Sequence, residues 1–394
     1  MNISPARQPV LAWAEISLAI GSVTQILGMP IIVGALQDGW GYTAEYAGYV
    51  TSIDLAGVLT GSVVTSLMAR RVDWRCYVGA ALALSAAFNL LCAPFHGVVA
   101  LCCLRFAAGV TSGATYASSL TLLSRHAEPA RGFSILILLQ VLANAIVLAL
   151  FPLLNTRWGP SGIFVAIAGV LLATLAAVPL LPRRDPAAKA QLPARAAEHR
   201  RRFAVPLLPA LCLMAVALFY VTIGSYWAYA ERMGIGFGIS MEEVHWLLSA
   251  GVLLSAAACV SARAVARRIG QSRPLLLALA LLAATLLIHG MLPTPTMFVV
   301  TLAVLQLCWN FIDIFQLGTL AILDPSGRAA ALVPAAQGAA LAAGPAAAGF
   351  VLGLGKGYTA VLFLAGFMSA SAAVIYAVVH RRYRRESVSV RIAF

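Results

Sequence analysis

Three charged side chains stand inside long apolar stretches of this 394-residue chain: Asp54, Arg105 and Asp313. A charge held within a bilayer costs several kcal/mol, so each is a candidate functional group. Asp54 lies about eleven residues into its stretch, roughly 16 Å deep at 1.5 Å per helical residue. Arg105 lies about seven residues in from the same side, roughly 10 Å deep. An arginine side chain spans that difference, so the two are expected to pair. Arginine stays protonated while aspartate titrates, so Asp54 is a candidate proton carrier; the alternative is a structural pair fixing one helix against another.

Polar residues recur at helical spacing around these charges. Gln306, Asn310 and Asp313 fall at i, i+4 and i+7 on one face. In lipid such a face must point at protein or at water. Asp313 is therefore either a substrate- or proton-binding acid or one end of an interhelix hydrogen bond. Arg105, Gly109, Ser112, Tyr116 and Ser119 share a face of another helix. Ser17, Gly21, Thr24 and Gly28 form a stripe of small residues suited to close helix packing, with Gln25 beside it as a binding candidate. Gln140 and Asn144 are i, i+4 partners.

The densest aromatic run is Phe219, Tyr220, Tyr226, Trp227 and Tyr229, with Thr222 and Ser225 between. Its outer part reads as an interfacial belt. Tyr220, Thr222 and Tyr226, helped by Trp309, could line a pocket for an amphipathic or ring-containing ligand; core packing is the alternative. The candidate substrate contacts are thus Gln25, Tyr116, Asn144, Tyr220, Thr222, Tyr226, Gln306, Trp309 and Asn310. Glu15 is expected to pair with a loop arginine. Glu231, Glu242, His245 and His289 are expected near the outer surface, with the histidines solvated.

The elements that must position these residues are membrane helices. Hydrophobic residues make up 61% of the chain and charged ones 10%, far from soluble averages. Twelve spans are expected, at 10–36, 43–68, 76–93, 98–123, 133–154, 161–181, 205–230, 243–266, 274–292, 296–322, 329–353 and 357–379, each able to cross a hydrocarbon core about 30 Å thick. Barrel strands alternate in polarity and these runs do not. The fold class is therefore all-α.

The net charge of +13 is topological rather than a nucleic-acid footprint. Apart from Arg105, only Arg157, Arg232 and Lys356 escape the termini and every second loop. The positive-inside rule then puts both termini in the cytoplasm of a multi-pass cytoplasmic-membrane protein. The first apolar stretch is too long for a signal peptide. Seven cysteines lack metal-ligand spacing and read as small buried hydrophobes.

Polar and glycine residues return at a spacing of half the chain. Arg70 and Arg71 return as Arg267 and Arg268, Glu45 and Ser52 as Glu242 and Ser249, Arg131 and Gln140 as Arg328 and Gln337. Two same-sense halves, 1–181 and 205–394, are thus expected on either side of a proline- and arginine-rich cytoplasmic linker, 182–204. In such a protein the working site usually lies between the repeats.

Twelve helices in two six-helix halves around a central cavity, joined by a basic linker, resemble the Major Facilitator Superfamily over essentially the whole chain. After the second span that family carries a Gly-x-x-x-Asp-Arg-x-Gly-Arg-Arg signature. Here the stretch from Thr65 reads Thr-Ser-Leu-Met-Ala69-Arg70-Arg71-Val72-Asp73-Trp-Arg75, which keeps the basic residues but not the acid or the second glycine. Leu104-Arg105-Phe106-Ala107-Ala108-Gly109 resembles the family's intramembrane arginine motif more closely. The Gly-Pro signature of drug–proton antiporters is missing from the fifth span, while Gly344-Pro345 appears in the eleventh. The resemblance implies a secondary transporter whose tenth helix lines the cavity. It also implies a cytoplasmic gate, here Arg70, Arg71, Asp73, Arg131, Arg267, Arg268 and Arg328.

No catalytic elbow, metalloprotease motif, phosphate loop or metal spacing occurs, so an enzyme is not expected. A channel needs a selectivity ring, whereas two unlike halves suit alternating access. The expectation is a monomeric secondary active transporter of a small organic solute. It needs no cofactor, has lipid as its surroundings, and takes its energy from the proton gradient through Asp54, Arg105 and Asp313. A multidrug or metabolite efflux antiporter, a channel and a non-transporting nutrient sensor are the alternatives.

Overall fold

The computed structural model describes residues 8–69, 72–126, 128–183, 206–324 and 328–392. Every regular element among them is helical. That follows from the solvent, because a helix satisfies its own N–H and C=O groups where no water can. Span α1 runs in three pieces, Gln8–Ser22, Thr24–Leu27 and Met29–Trp40. Then come α2 (Ala44–Met68), α3 (Trp74–Cys92) and α4 (Val98–Leu123). Spans α5 and α6 share one run, Pro129–Thr174, which ends in a 3-10 turn, Leu175–Leu180. Span α7 is Leu207–Ala228 with a short continuation, Ala230–Gly236. The chain finishes with α8 (Met241–Ile269), α9 (Ser272–Met291), α10 (Pro295–Leu323), α11 (Arg328–Gly353) and α12 (Gly357–Ile392).

Nine stretches among the described residues are long and apolar enough to cross a membrane. One of them, Arg131–Leu180, holds both α5 and α6. The interrupted α1 and the α8 helix with its charged ends complete the twelve spans read from the sequence. The apolar run of α12 stops near 379, where the sequence ended that span, but the helix continues through the basic segment to Ile392.

The division of α5 from α6 rests on one residue. Gly159 adopts φ 64°, ψ −167°, a conformation that a side chain would disfavour. Pro160 then restarts the helix with its φ already set. At the far end of α3 the Ser161 hydroxyl donates to the Ala93 carbonyl at 2.9 Å. At its near end the Arg75 guanidinium donates to the Leu181 carbonyl. The α6 helix therefore runs antiparallel to α3. Asp73 starts α3 by accepting from the amides of Arg75 and Cys76 at 3.0 and 3.2 Å, an N-cap that satisfies donors the helix cannot.

The chain divides into two compact units, Met1–Tyr42 with Tyr49–Ala204, and Thr43–Gly48 with Val205–Phe394. In the first, four glycines bring α2 and α4 into backbone contact. A Cβ on Gly57 or Gly61 would strike the carbonyls of Phe106 or Val110; one on Gly109 or Gly113 would strike those of Asp54 or Val58. Small residues at such an interface let helices associate where lipid supplies no hydrophobic drive. At the basic-loop end, Glu15 accepts from His126 at 2.7 Å. The loop arginine expected from the sequence, Arg125, also lies near the carboxylate, with its guanidinium 5.9 Å from the Trp74 ring, so Glu15 has a histidine beside it as well as the expected cation. Burial pushes the His126 pKa below the ordinary histidine value.

In the second unit, Gly344 lies against the backbone of Gly224 and Ser225, which joins α11 to α7. Ser240 and Glu243 form a reciprocal capping box that starts α8. Glu231, only 3% exposed, accepts from His245 at 2.7 Å and lies 3.5 Å from Arg232. His289 is fully buried, with its ring 4.7 Å from Phe237, and neither ring nitrogen has a partner. The expectation of a solvated histidine failed because packing between α9 and its neighbours covers the helix end.

Gly113→Ala should therefore pry α2 from α4 and cost about 1–3 kcal/mol, read as a lower thermal unfolding midpoint. Gly169→Ala, where an added Cβ meets nothing within 4 Å, should leave the midpoint unchanged or raise it.

Candidate functional site

Arg105 is 2% exposed and sits at the centre of the first unit. Its Nη2 donates to Asp54 Oδ2 at 2.6 Å and to Gln25 Oε1 at 2.9 Å. Gln25 Nε2 closes the triangle on Asp54 Oδ1 at 3.1 Å. Nη1 donates to Asn89 Oδ1 at 2.8 Å, and Asn89 in turn donates to the Ser85 carbonyl. The guanidinium carbon lies 5.4 Å from the Phe164 ring centre, within cation–π range. One side chain on α4 thus binds α1, α2, α3 and α6 together. Beside it a void of about 10 Å³, lined by Gln25, Thr51, Asp54, Arg105 and Phe164 among others, has room for one water.

Local sequence makes this geometry possible. The breaks in α1 at Val23 and Gly28 set off the short buried piece that holds Gln25. The glycine contacts between α2 and α4 bring Asp54 within reach of Arg105. Asn89 and Phe164 were not singled out from the sequence. Asn89 is a lone amide in the apolar third span, a signal that could have found it. Phe164 carries no signal, since its role depends on where α6 lands.

The second unit has a different kind of centre. Asp313 on α10 is half-buried. Its Oδ2 accepts from the Tyr220 hydroxyl of α7 at 2.6 Å. Its Oδ1 lies at the 3.5 Å limit from Gln337 Nε2 of α11. No cation lies within ion-pair distance of it among the described residues. Tyr376 of α12, fully buried and with its hydroxyl unpartnered, lies within electrostatic range of Asp313. Two neutral donors hold this acid where a guanidinium holds Asp54.

The other sequence candidates are distributed as follows. Tyr116 of α4 faces Gln140 of α5. Thr222 donates to the Ala365 carbonyl at 3.0 Å, and Tyr226 is fully buried with an unpartnered hydroxyl. Trp309 lies edge-on to Trp227 at 6.1 Å. Asn144 Oδ1 and Gln306 Nε2 are buried polar atoms without partners, and Asn310 is half-buried one turn before Asp313. The structure thus joins Gln25 to Asp54 and Arg105, and Tyr220 to Asp313. It buries Thr222 and Tyr226 in helix contacts. Of the gate candidates, Arg70, Arg71 and the Arg328 side chain lie outside the described residues. Asp73 caps α3, Arg131 is exposed 3.6 Å from Glu128, and Arg267 and Arg268 are exposed in the last turn of α8.

Arg105→Ala should leave Asp54 buried without its cation and cost about 3–5 kcal/mol. Asp54→Asn in the same background should restore much of the lost thermal midpoint. A double variant no more stable than Arg105→Ala alone would show that the arginine acts through packing rather than through its charge.

The sequence profile of the Major Facilitator Superfamily matches residues 16–326. No curated protein matches the chain by sequence. Among solved structures, a bacterial homologue of the human lysosomal transporter Spinster superposes with a TM-score of 0.76 at 12% identity, covering 98% of this chain and 99% of that one. The nucleoside transporter NupG gives 0.74 at 12% identity over 94% and 99%. A D-xylose–proton symporter gives 0.72 at 15% identity over 95% and 97%. At these identities the likeness is one of fold. With twelve membrane helices, a buried arginine network and a profile match over most of its length, the chain belongs to the Major Facilitator Superfamily.

Proposed function

We propose that this protein is a proton-coupled secondary transporter of a small organic solute, working by alternating access, with Asp313 as its proton-binding group. The observation that carries the reading is the neutral setting of that acid. An aspartate held by Tyr220 and Gln337 has no cation among the described residues to keep it ionised, so a proton can neutralise it without leaving a cation stranded. Protonating Asp54, by contrast, would strip Arg105 of its counter-charge, and that cost favours a fixed ion pair.

In this division of labour Asp313 couples and the Asp54–Arg105 pair anchors. Neutralising a carboxylate lowers the penalty of enclosing it away from water, so a proton, or a bound solute standing in for one, shifts the balance between open and closed forms. Gln306, Asn310 and Trp309, on or beside the face of Asp313, are the nearest candidates for solute contact, with Gln25, Tyr116 and Asn144 from the first unit. The chain works as a monomer without a cofactor and draws on the proton gradient. It lies in the cytoplasmic membrane with both termini inside, its six-helix halves, 1–181 and 205–394, joined by the cytoplasmic linker 182–204. The basic residues Arg131, Arg267 and Arg268 serve the cytoplasmic gate. A solved neighbour described as a proton symporter is consistent with this energy source.

A thermal-shift screen across sugars, nucleosides, amino acids, peptides and drugs identifies the solute. With that solute in proteoliposomes, Asp313→Asn should abolish accumulation driven by a pH gradient and spare solute exchange at equal pH. Asp54→Asn should weaken both through stability. Wild-type pH dependence in Asp313→Asn would remove that residue from coupling.

A further inference from the structure

The second unit carries a concavity whose lining includes none of Asp313, Tyr220 and Gln337. A recess of about 300 Å³ lies between α8, α9 and α10. Small residues, Ala258 and Ser261 on α8 and Ala278 on α9, are part of its lining. Leu277 and Leu281 stand out as one wall, 65% and 54% exposed. From Ala258 to Ile269 the lining covers eleven residue steps, roughly 16 Å at 1.5 Å each. That is the depth of one leaflet in a hydrocarbon core about 30 Å thick.

The mouth of the recess is basic. Ile269 and Pro274 mark it, where α8 turns into α9 on the side of the basic loops. Arg268 immediately precedes Ile269 and sits two turns from Ser261, on the groove's own stripe, and Arg273 immediately precedes Pro274. Both side chains are exposed, and neither has an ion-pair or hydrogen-bond partner among the described residues. No Asp or Glu occurs between Glu243 and Asp313, while Arg263, Arg267, Arg268 and Arg273 fall within that stretch.

An apolar slot one leaflet deep with two unpaired guanidiniums at its mouth matches one chemistry. The geometry points to a binding site for an anionic phospholipid of the surrounding bilayer, one acyl chain in the slot between α8, α9 and α10 and the phosphate on Arg268 and Arg273. Lipid acyl chains cover any membrane helix. What distinguishes this site is charge complementarity at the end of a concave track, which selects a headgroup as well as a tail. The bound lipid would brace the α8–α9 turn.

The test titrates purified full-length protein with dioleoylphosphatidylglycerol or dioleoylphosphatidylcholine and counts bound lipid by native mass spectrometry. Each arginine should contribute roughly a fivefold preference for the anionic lipid. Arg268→Gln with Arg273→Gln should bring the two lipids to equal binding. Ala278→Phe, with both arginines kept, should block the slot and weaken phosphatidylglycerol binding. Arg381→Gln with Arg382→Gln, which removes two exposed charges elsewhere, should keep the preference. Equal binding of both lipids to the unaltered protein, a preference that survives both groove variants, or its loss in the Arg381 and Arg382 control would each overturn the assignment. So would a dimer abolished by Ala278→Phe and indifferent to lipid, which would give the groove to a second copy of the chain.

Discussion

A guanidinium cannot shed its charge inside a membrane, so everything around Arg105 has to supply what water would have given. Asp54 provides the counter-charge, Gln25 and Asn89 provide oxygens, and Phe164 provides an electron-rich face. These partners come from four other helices. The cost of burying the ion is therefore met only when α1, α2, α3 and α6 converge on α4, which makes one charge an organiser of the whole unit. The glycines between α2 and α4 are part of the same constraint, because the ion pair is short only where the two backbones touch.

The second unit keeps the frame and changes the chemistry. At half the chain length Tyr116 is replaced by Asp313, while Gln140 returns as Gln337. Each unit thus sets an amide beside a polar side chain at the same place between corresponding helices, a phenol in one and a carboxylate in the other. The Arg105 position returns as Leu302 and the Asp54 position as Gly251. The duplicated scaffold carries a fixed ion pair in one copy and a lone acid held by neutral donors in the other.

Much of this was legible in the sequence because lipid simplifies the code. Apolar length gave the spans, and a charge in an apolar run stood out as soon as it was met. Depth along two helices was enough to bring Arg105 to Asp54, since both helices cross the same slab. The i, i+4, i+7 pattern put Asp313 on a polar face, but nothing in it named Tyr220, whose approach depends on the packing of α7 against α10. Aromatic residues read as a pocket were partly core: Tyr226 is wholly enclosed and Thr222 bonds across to α12. His289 was misread for a related reason. A helix end looks like surface in sequence, whereas loops and neighbouring helices decide whether it is covered.

The central claim is that the proton resides on Asp313 and not on the arginine-bound Asp54. Infrared difference spectroscopy of the protein, titrated through the neutral range, reads the carbonyl stretch of a protonated carboxylic acid directly. The account predicts one titrating band that vanishes in Asp313→Asn and persists in Asp54→Asn. A band lost in Asp54→Asn and retained in Asp313→Asn would contradict it.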